Sequence, residues 1–164
     1  MLAAECAWAI LHAEHARMRE LLMLVDDELK AGNWTKGGPQ SASLTGLIER
    51  LRAFDTATHR PKGVVLIETL RGRSAESDDL LQRLEQQRER CDSLLSQAKA
   101  ALDRGDAGTA DEVATVLQEH HRLMRAHLDE EDTLLHSQTA KLLTTEDWAA
   151  VASAISEAIG PRRS

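Results

Sequence analysis

The chain has 164 residues, 29% of them charged and 42% apolar, with a formal net charge of −7 and a pI near 5.5. That length supports one domain with a proper core, expected over residues 1–164, and the acidic balance argues against nucleic acid as a partner. No apolar run approaches the roughly 20 residues that span a bilayer, and no basic-then-apolar leader is recognisable, so the expected setting is the cytoplasm, with no membrane partner.

Helical periodicity dominates throughout, and no stretch alternates like a strand. The first helix is predicted from about Ala3 to Lys30. Its apolar stripe is Trp8, Leu11, His15, Met18, Leu22, Val25 and Leu29, with Trp8 in the core near one end of the domain. Ala31-Gly32-Asn33 ends it, and a long surface loop follows to Ser43. Trp34 in that loop reads as an exposed partner-binding residue. The second helix starts near Leu44 with Ser43 as N-cap and carries Leu47, Leu51 and Phe54. It meets Pro61, which is expected to bend or break it, and Val64-Val65-Leu66-Ile67 continues it to about Arg71.

The third helix runs from after Ser74 to about Asp103, with the stripe Leu81, Leu84, Arg88, Cys91, Leu95, Ala98 and Leu102. Cys6 and Cys91 stand at no metal-type or redox-type spacing, and Cys91 reads as a small buried hydrophobe. A turn over residues 104–108 leads to a fourth helix. Thr109 and Glu112 form a capping box at its start, and it lasts to about Lys141. A shorter fifth helix begins at Thr144-Thr145-Glu146-Asp147 and ends before Gly160-Pro161. Its apolar face (Trp148, Val151, Ala152, Ile155, Ile159) is available either for packing on the rest of the chain or for a homodimer. The expected fold is all-α, an up-down-up-down four-helix bundle with an additional short C-terminal helix.

The chemistry lies inside the stripes. The fourth helix reads Val113, Leu117, His120, Met124, His127, Glu131, Leu134, so two imidazoles and a carboxylate sit where a core-facing helix carries apolar residues. Burying them demands a metal ion, a cationic partner or trapped water. His15, His59 and His127 come from three different helices and meet at one level of a bundle. Glu131 lies one turn from His127, and Asp132 is a further carboxylate, partly rotated away. Imidazole and carboxylate donors suit iron, manganese or zinc. His120 is either a substitute ligand or a satisfied core histidine. Asp55, four residues before His59, either orients that imidazole or is surface charge. His12 falls at the edge of the core, while His121 and His136 read as solvated. The acidic run Asp129-Glu130-Glu131-Asp132 reads as a solvated face apart from Glu131. No nucleophile–base pair and no Gly-rich phosphate loop is recognisable, so no enzyme is expected.

The segments Leu11–Met18, His59–Gly63 and His127–Asp132, followed by Leu142–Trp148, resemble the bacterial hemerythrin-like, HHE cation-binding domains over about residues 8 to 155. That resemblance implies a hemerythrin-like bundle binding non-haem iron, with roles in oxygen binding, iron handling or redox sensing. It implies His15, His59, His127 and Glu131 as ligands. Two positions depart from the family pattern. Gly63 stands where a bridging glutamate is expected, and Arg88, with Asp92 one turn on, stands where the third helix presents a histidine. An arginine stays protonated and cannot ligate metal. The expectation is therefore an impaired site: a mononuclear or di-iron centre in which His120, Asp132 or Asp92 adds a ligand, or no metal at all. In the metal-free case Arg88 would pair with Glu131 or Asp92 in the vacated space. With metal, the expected partner is a small ligand such as O2. Without it, the chain would be a helical module acting through its surface as a partner-binding or regulatory protein.

Overall fold

The computed structural model describes residues 2–105 and 108–159, and every regular element among them is helical. The first rod is α1 (Leu2–Ala31). The second is built from α2 (Ala42–Phe54), a five-residue π-helical turn (Asp55–His59) and α3 (Arg60–Leu70). The third is α4 (Ala75–Arg104). The fourth joins α5 (Thr109–Glu130), a second π turn (Glu131–Leu135) and α6 (His136–Leu142). A last helix, α7 (Thr145–Ile159), completes the chain. The four rods form the up-down-up-down bundle, and α7 packs across α1 and α3.

Two apolar clusters hold the rods together. One gathers the second half of α1, α2, the second half of α4 and most of α5, through residues such as Met18, Leu44, Ala98 and Leu117. The other joins the start of α1, α3, the start of α4 and α7, through Leu11, Leu66, Leu84 and Val151. A polar layer containing His15, His59, His127 and Glu131, all buried, lies between them. Among the described residues no helix is long and apolar enough to cross a membrane.

The π turns explain where the periodicity misleads. Pro61 neither breaks nor ends the second rod. The π turn widens the helix just ahead of it, the Arg60 N–H bonds back to the Asp55 carbonyl, and Pro61 falls in the first turn of α3, where its missing N–H costs little. On the fourth rod the inserted residue moves the apolar stripe on by one. Leu135 is 1% exposed, whereas Leu134, which the stripe predicted inside, is 44% exposed.

Other boundaries differ in small ways. Ser41, not Ser43, precedes α2, and Gly108, not Thr109, is the N-cap of α5. The Glu112 carboxylate is engaged by Arg104 at 2.6 Å. Ser74 caps α4 as its position suggests, accepting from the Ser77 N–H. Gly105 closes that helix in the left-handed conformation, φ 65. Thr144 and Asp147 form a reciprocal capping box at α7, at 2.8 and 3.1 Å.

The loop after α1 folds into two 3-10 turns, Asn33–Lys36 and Gly38–Gln40. They tuck Trp34 into the core, where its indole N–H donates to the Leu29 carbonyl at 3.2 Å. Trp34 is therefore a core residue and not a partner surface. Trp148, Val151 and Ile155 of α7 are buried against the bundle, so that part of the face is covered within the chain. The end of α7 expected at Gly160-Pro161, and Asp106 and Ala107 of the turn before α5, lie outside the described residues.

Candidate metal centre

Each π turn delivers a side chain to the centre of the polar layer: His59 ends the first and Glu131 begins the second. Such turns replace the usual helical spacing by one wider step, and they recur at functional sites for that reason. The Nε2 atoms of His15, His59 and His127 approach one carboxylate oxygen, Glu131 Oε1, at 3.5, 3.4 and 3.4 Å. His15 Nε2 and His59 Nε2 are 3.0 Å apart. His15, His59 and Glu131 form the tight group, and His127 meets it at the carboxylate.

The far side of each ring is fixed. His15 Nδ1 donates to Asp132 Oδ1 at 2.5 Å, and Asp132 and Asp129 are both held by Arg19 at 2.8 Å. His59 Nδ1 donates to Asp55 Oδ1 at 2.9 Å. Arg60 holds Asp55 at 2.6 Å and Asp92 at 2.8 Å. His127 Nδ1 donates to Gln87 Oε1 at 3.0 Å, and the Gln87 amide donates to Glu130, which also accepts from Arg83. Ionised carboxylates and an amide oxygen only accept, so every Nδ1 is the donor. The inner Nε2 of a neutral ring is then a lone pair. Three lone pairs face a carboxylate oxygen that has no hydrogen-bond partner of its own.

Acceptors facing acceptors need a cation between them. Ligand atoms about 2.1 Å from one ion stand about 3.0–3.4 Å from one another in octahedral or tetrahedral arrangements. The 3.0–3.5 Å separations found here match those edges, so the residues present fit a metal ion. Two imidazoles and one carboxylate form a donor set associated with non-haem iron(II).

A proton is the competing cation. Burial alone would favour neutral His59, but the facing carboxylates of Asp55 and Glu131 outweigh it and push the ring up to about 9. Burial likewise opposes the Glu131 charge, yet the imidazoles of His127, His59 and His15 hold that carboxyl well below its ordinary range. Burial depresses His127 and pushes His120 down to about 4.

These directions set a pH profile for the metal-free protein. The raised His59 adds stability that is complete below its unfolded value of 6.5 and is lost as pH rises through about 9. The depressed His120 removes stability as pH falls from 6.5 toward 4, because the unfolded chain takes up that proton first. Urea titrations of metal-free protein should therefore give a maximum near pH 6.5. A midpoint flat from pH 6.5 to 9 would show that His59 is not charged in the fold.

Several sequence expectations change. Arg88, on α4, reaches the layer but forms no ion pair with Glu131 or Asp92, and its Nη2 is enclosed without an acceptor. The cause is competition, since Asp92 is drawn to Arg60 and the Glu131 oxygen Oε1 faces the three rings. Asp92 is half-exposed and outside the group. His120 is buried with its Nε2 unpartnered and also stands outside it. Asp132 orients His15 and is not a member of the group. Asp55 orients His59. In the acidic run Asp129 is exposed as expected, whereas Glu130 and Asp132 are half-buried and held by Arg83 and Arg19. His136 is half-buried, its ring 4.6 Å from Trp8, and the exposed His12 stacks on it at 5.9 Å.

Sequence reading missed one buried pair beside the layer. Lys62 and Glu14 form an ion pair, the ammonium also donating to the Thr58 carbonyl at 2.7 Å. Its signal was present, since Lys62 falls on the stripe His59, Lys62, Leu66, Leu70.

The model of a known family, the hemerythrin HHE cation binding domain, matches residues 6–138. No curated protein and no solved structure matches the chain. The matched stretch includes every residue of the polar layer and stops short of α7.

Proposed function

The chain belongs to the hemerythrin HHE cation-binding domain family, and from that premise we propose that it is a non-haem iron protein with a mononuclear site. His15, His59 and Glu131 would hold the ion, with His127 beside the shared carboxylate. The observation that carries this reading is the set of three outward-tied imidazoles whose inner nitrogens face an unpartnered carboxylate oxygen. A bound iron(II) would supply one-electron chemistry and an open position for a small ligand such as O2. The residues around it orient and select. Asp132, Asp55 and Gln87 keep the rings in the tautomer that presents Nε2. The apolar clusters on either side exclude water from the layer. Arg88 and Gly63 leave the second half of the layer without the donors a second ion needs. The role is binding or sensing and not catalysis, and with both cysteines unpaired the proposed setting is cytoplasmic.

One observation favours a second reading. The inner nitrogens of His15 and His59, 3.0 Å apart, can share a proton beside the Glu131 carboxylate, leaving a metal-free bundle that acts through partners. Metal analysis of untagged protein after anaerobic iron(II) loading separates the two. The mononuclear reading expects about one ion per chain, with about one proton released per ion at pH 7.5 as His59 gives up its charge. Two ions per chain would overturn the mononuclear assignment, and none would leave the metal-free reading.

A further inference from the structure

The geometry points to a second ligand in the same layer: Arg88 and the bare position Gly63 form a notch that binds the smallest carboxylate, formate, next to the ion. This inference rests on the mononuclear reading. It begins from Arg88, a permanent cation whose Nη2 is enclosed and has no acceptor. Enclosed charged groups are ordinarily paired, and an unpaired one calls for a missing partner. Of the protein anions nearby, two are engaged elsewhere and Glu131 forms no ion pair with Arg88. Asp92 is held by Arg60, Glu130 by Arg83 and Gln87, and Glu131 Oε1 faces three imidazoles.

Gly63 supplies the space. It is buried within α3, and its backbone is ordinary helix, so no left-handed conformation requires glycine there. A glycine inside a helix is unfavourable relative to alanine. A Cβ at that position would meet only Glu131 Oε2 at 3.6 Å and Arg88 Nη2 at 3.8 Å, with nothing else within 4 Å. The absent side chain therefore opens a gap flanked by a guanidinium and by the carboxylate at the centre of the site.

Charge fixes the sign of the occupant. A divalent ion and Arg88 together carry three positive charges against one negative charge on Glu131, and behind the rings the carboxylates of Asp132 and Asp55 are matched by Arg19 and Arg60. An added anion reduces that excess. Without the ion, the Glu131 oxygen on the edge of the notch repels it, so anion and metal bind together or not well. A planar two-oxygen anion matches the planar guanidinium better than a spherical halide does.

Cobalt(II) is the probe, because its visible absorption reports its ligands. Formate is titrated into cobalt-loaded protein at constant ionic strength, balanced with perchlorate. The spectrum should change with saturation, and saturating formate should tighten cobalt binding about tenfold, within the range usual for coupled sites. Arg88→Gln should remove both effects. Gly63→Ala, whose added methyl group makes only ordinary contacts, should weaken them by filling the notch. Thermal melts confirm that each variant is folded. If cobalt binds and formate leaves both readouts unchanged, the notch is not an anion site and the metal reading stands. An equal response in Arg88→Gln also overturns the inference, since the anion would then need only the metal. Failure of cobalt to bind at all would bring down the mononuclear reading and this inference with it.

Discussion

Glutamine in place of Glu131 should abolish stoichiometric iron binding and destabilise the metal-free protein by about 3–5 kcal/mol, the usual loss when one partner of a buried charge pair is removed. The side chain keeps its size, so no cavity contributes. What disappears is the negative charge that three imidazole nitrogens face at 3.4–3.5 Å. A charged His59 would then rely on Asp55 alone, and its ring would titrate lower. Urea titration of metal-free protein gives the stability change, and metal analysis after iron loading gives the stoichiometry. A loss below about 1 kcal/mol, or a full ion retained per chain, would show that Glu131 is not the centre of the layer.

Methionine in place of Lys62 should cost a similar amount, about 3–5 kcal/mol, and lower the melting temperature by roughly 10 °C for a chain of this length. Lys62 is 3% exposed and Glu14 9%, so the ammonium and carboxylate neutralise each other away from water. One oxygen of Glu14 already lacks a hydrogen-bond partner, and losing Lys62 would leave the whole carboxylate uncompensated. The double variant Lys62→Met, Glu14→Gln should recover most of the loss, because no charge is stranded. Equal melting temperatures for the wild type and the Lys62 variant would mean that the pair opens to solvent.

The sequence shows most of the architecture because apolar stripes at helical spacing are a strong signal, and α1 and α4 fall within a residue or two of expectation. The central residues were also readable. His15, His59, His127 and Glu131 interrupt those stripes, and polar groups in a stripe announce a polar layer. The pairing within that layer was not readable. Arg88 and Asp92 lie one turn apart and oppositely charged, yet Arg60, from another rod, takes Asp92. Which of several nearby charges wins depends on side-chain reach across the bundle, which helical spacing does not encode. Trp34 failed for a related reason: its loop is short on apolar neighbours in sequence but folds back over Leu29 and Leu44 in space.

The two π turns give the rods a meaning that residue identity alone does not carry. Deleting one exposed residue, Thr56 from the first turn or Thr133 from the second, would restore uniform α-helix. Each π turn absorbs one residue beyond the α-helical count, so such a deletion would leave the segments on either side facing as they do now. Leu66, Ile67, Leu70 and Leu135 would stay on the core, while Asp55 would stand three residues from His59 instead of four and their hydrogen bond would be re-aimed. Chain length at these two points is therefore itself a determinant of the site. A shortened relative would keep its core and its written order of ligands and lose the wider step that sets how His59 and Glu131 enter the layer.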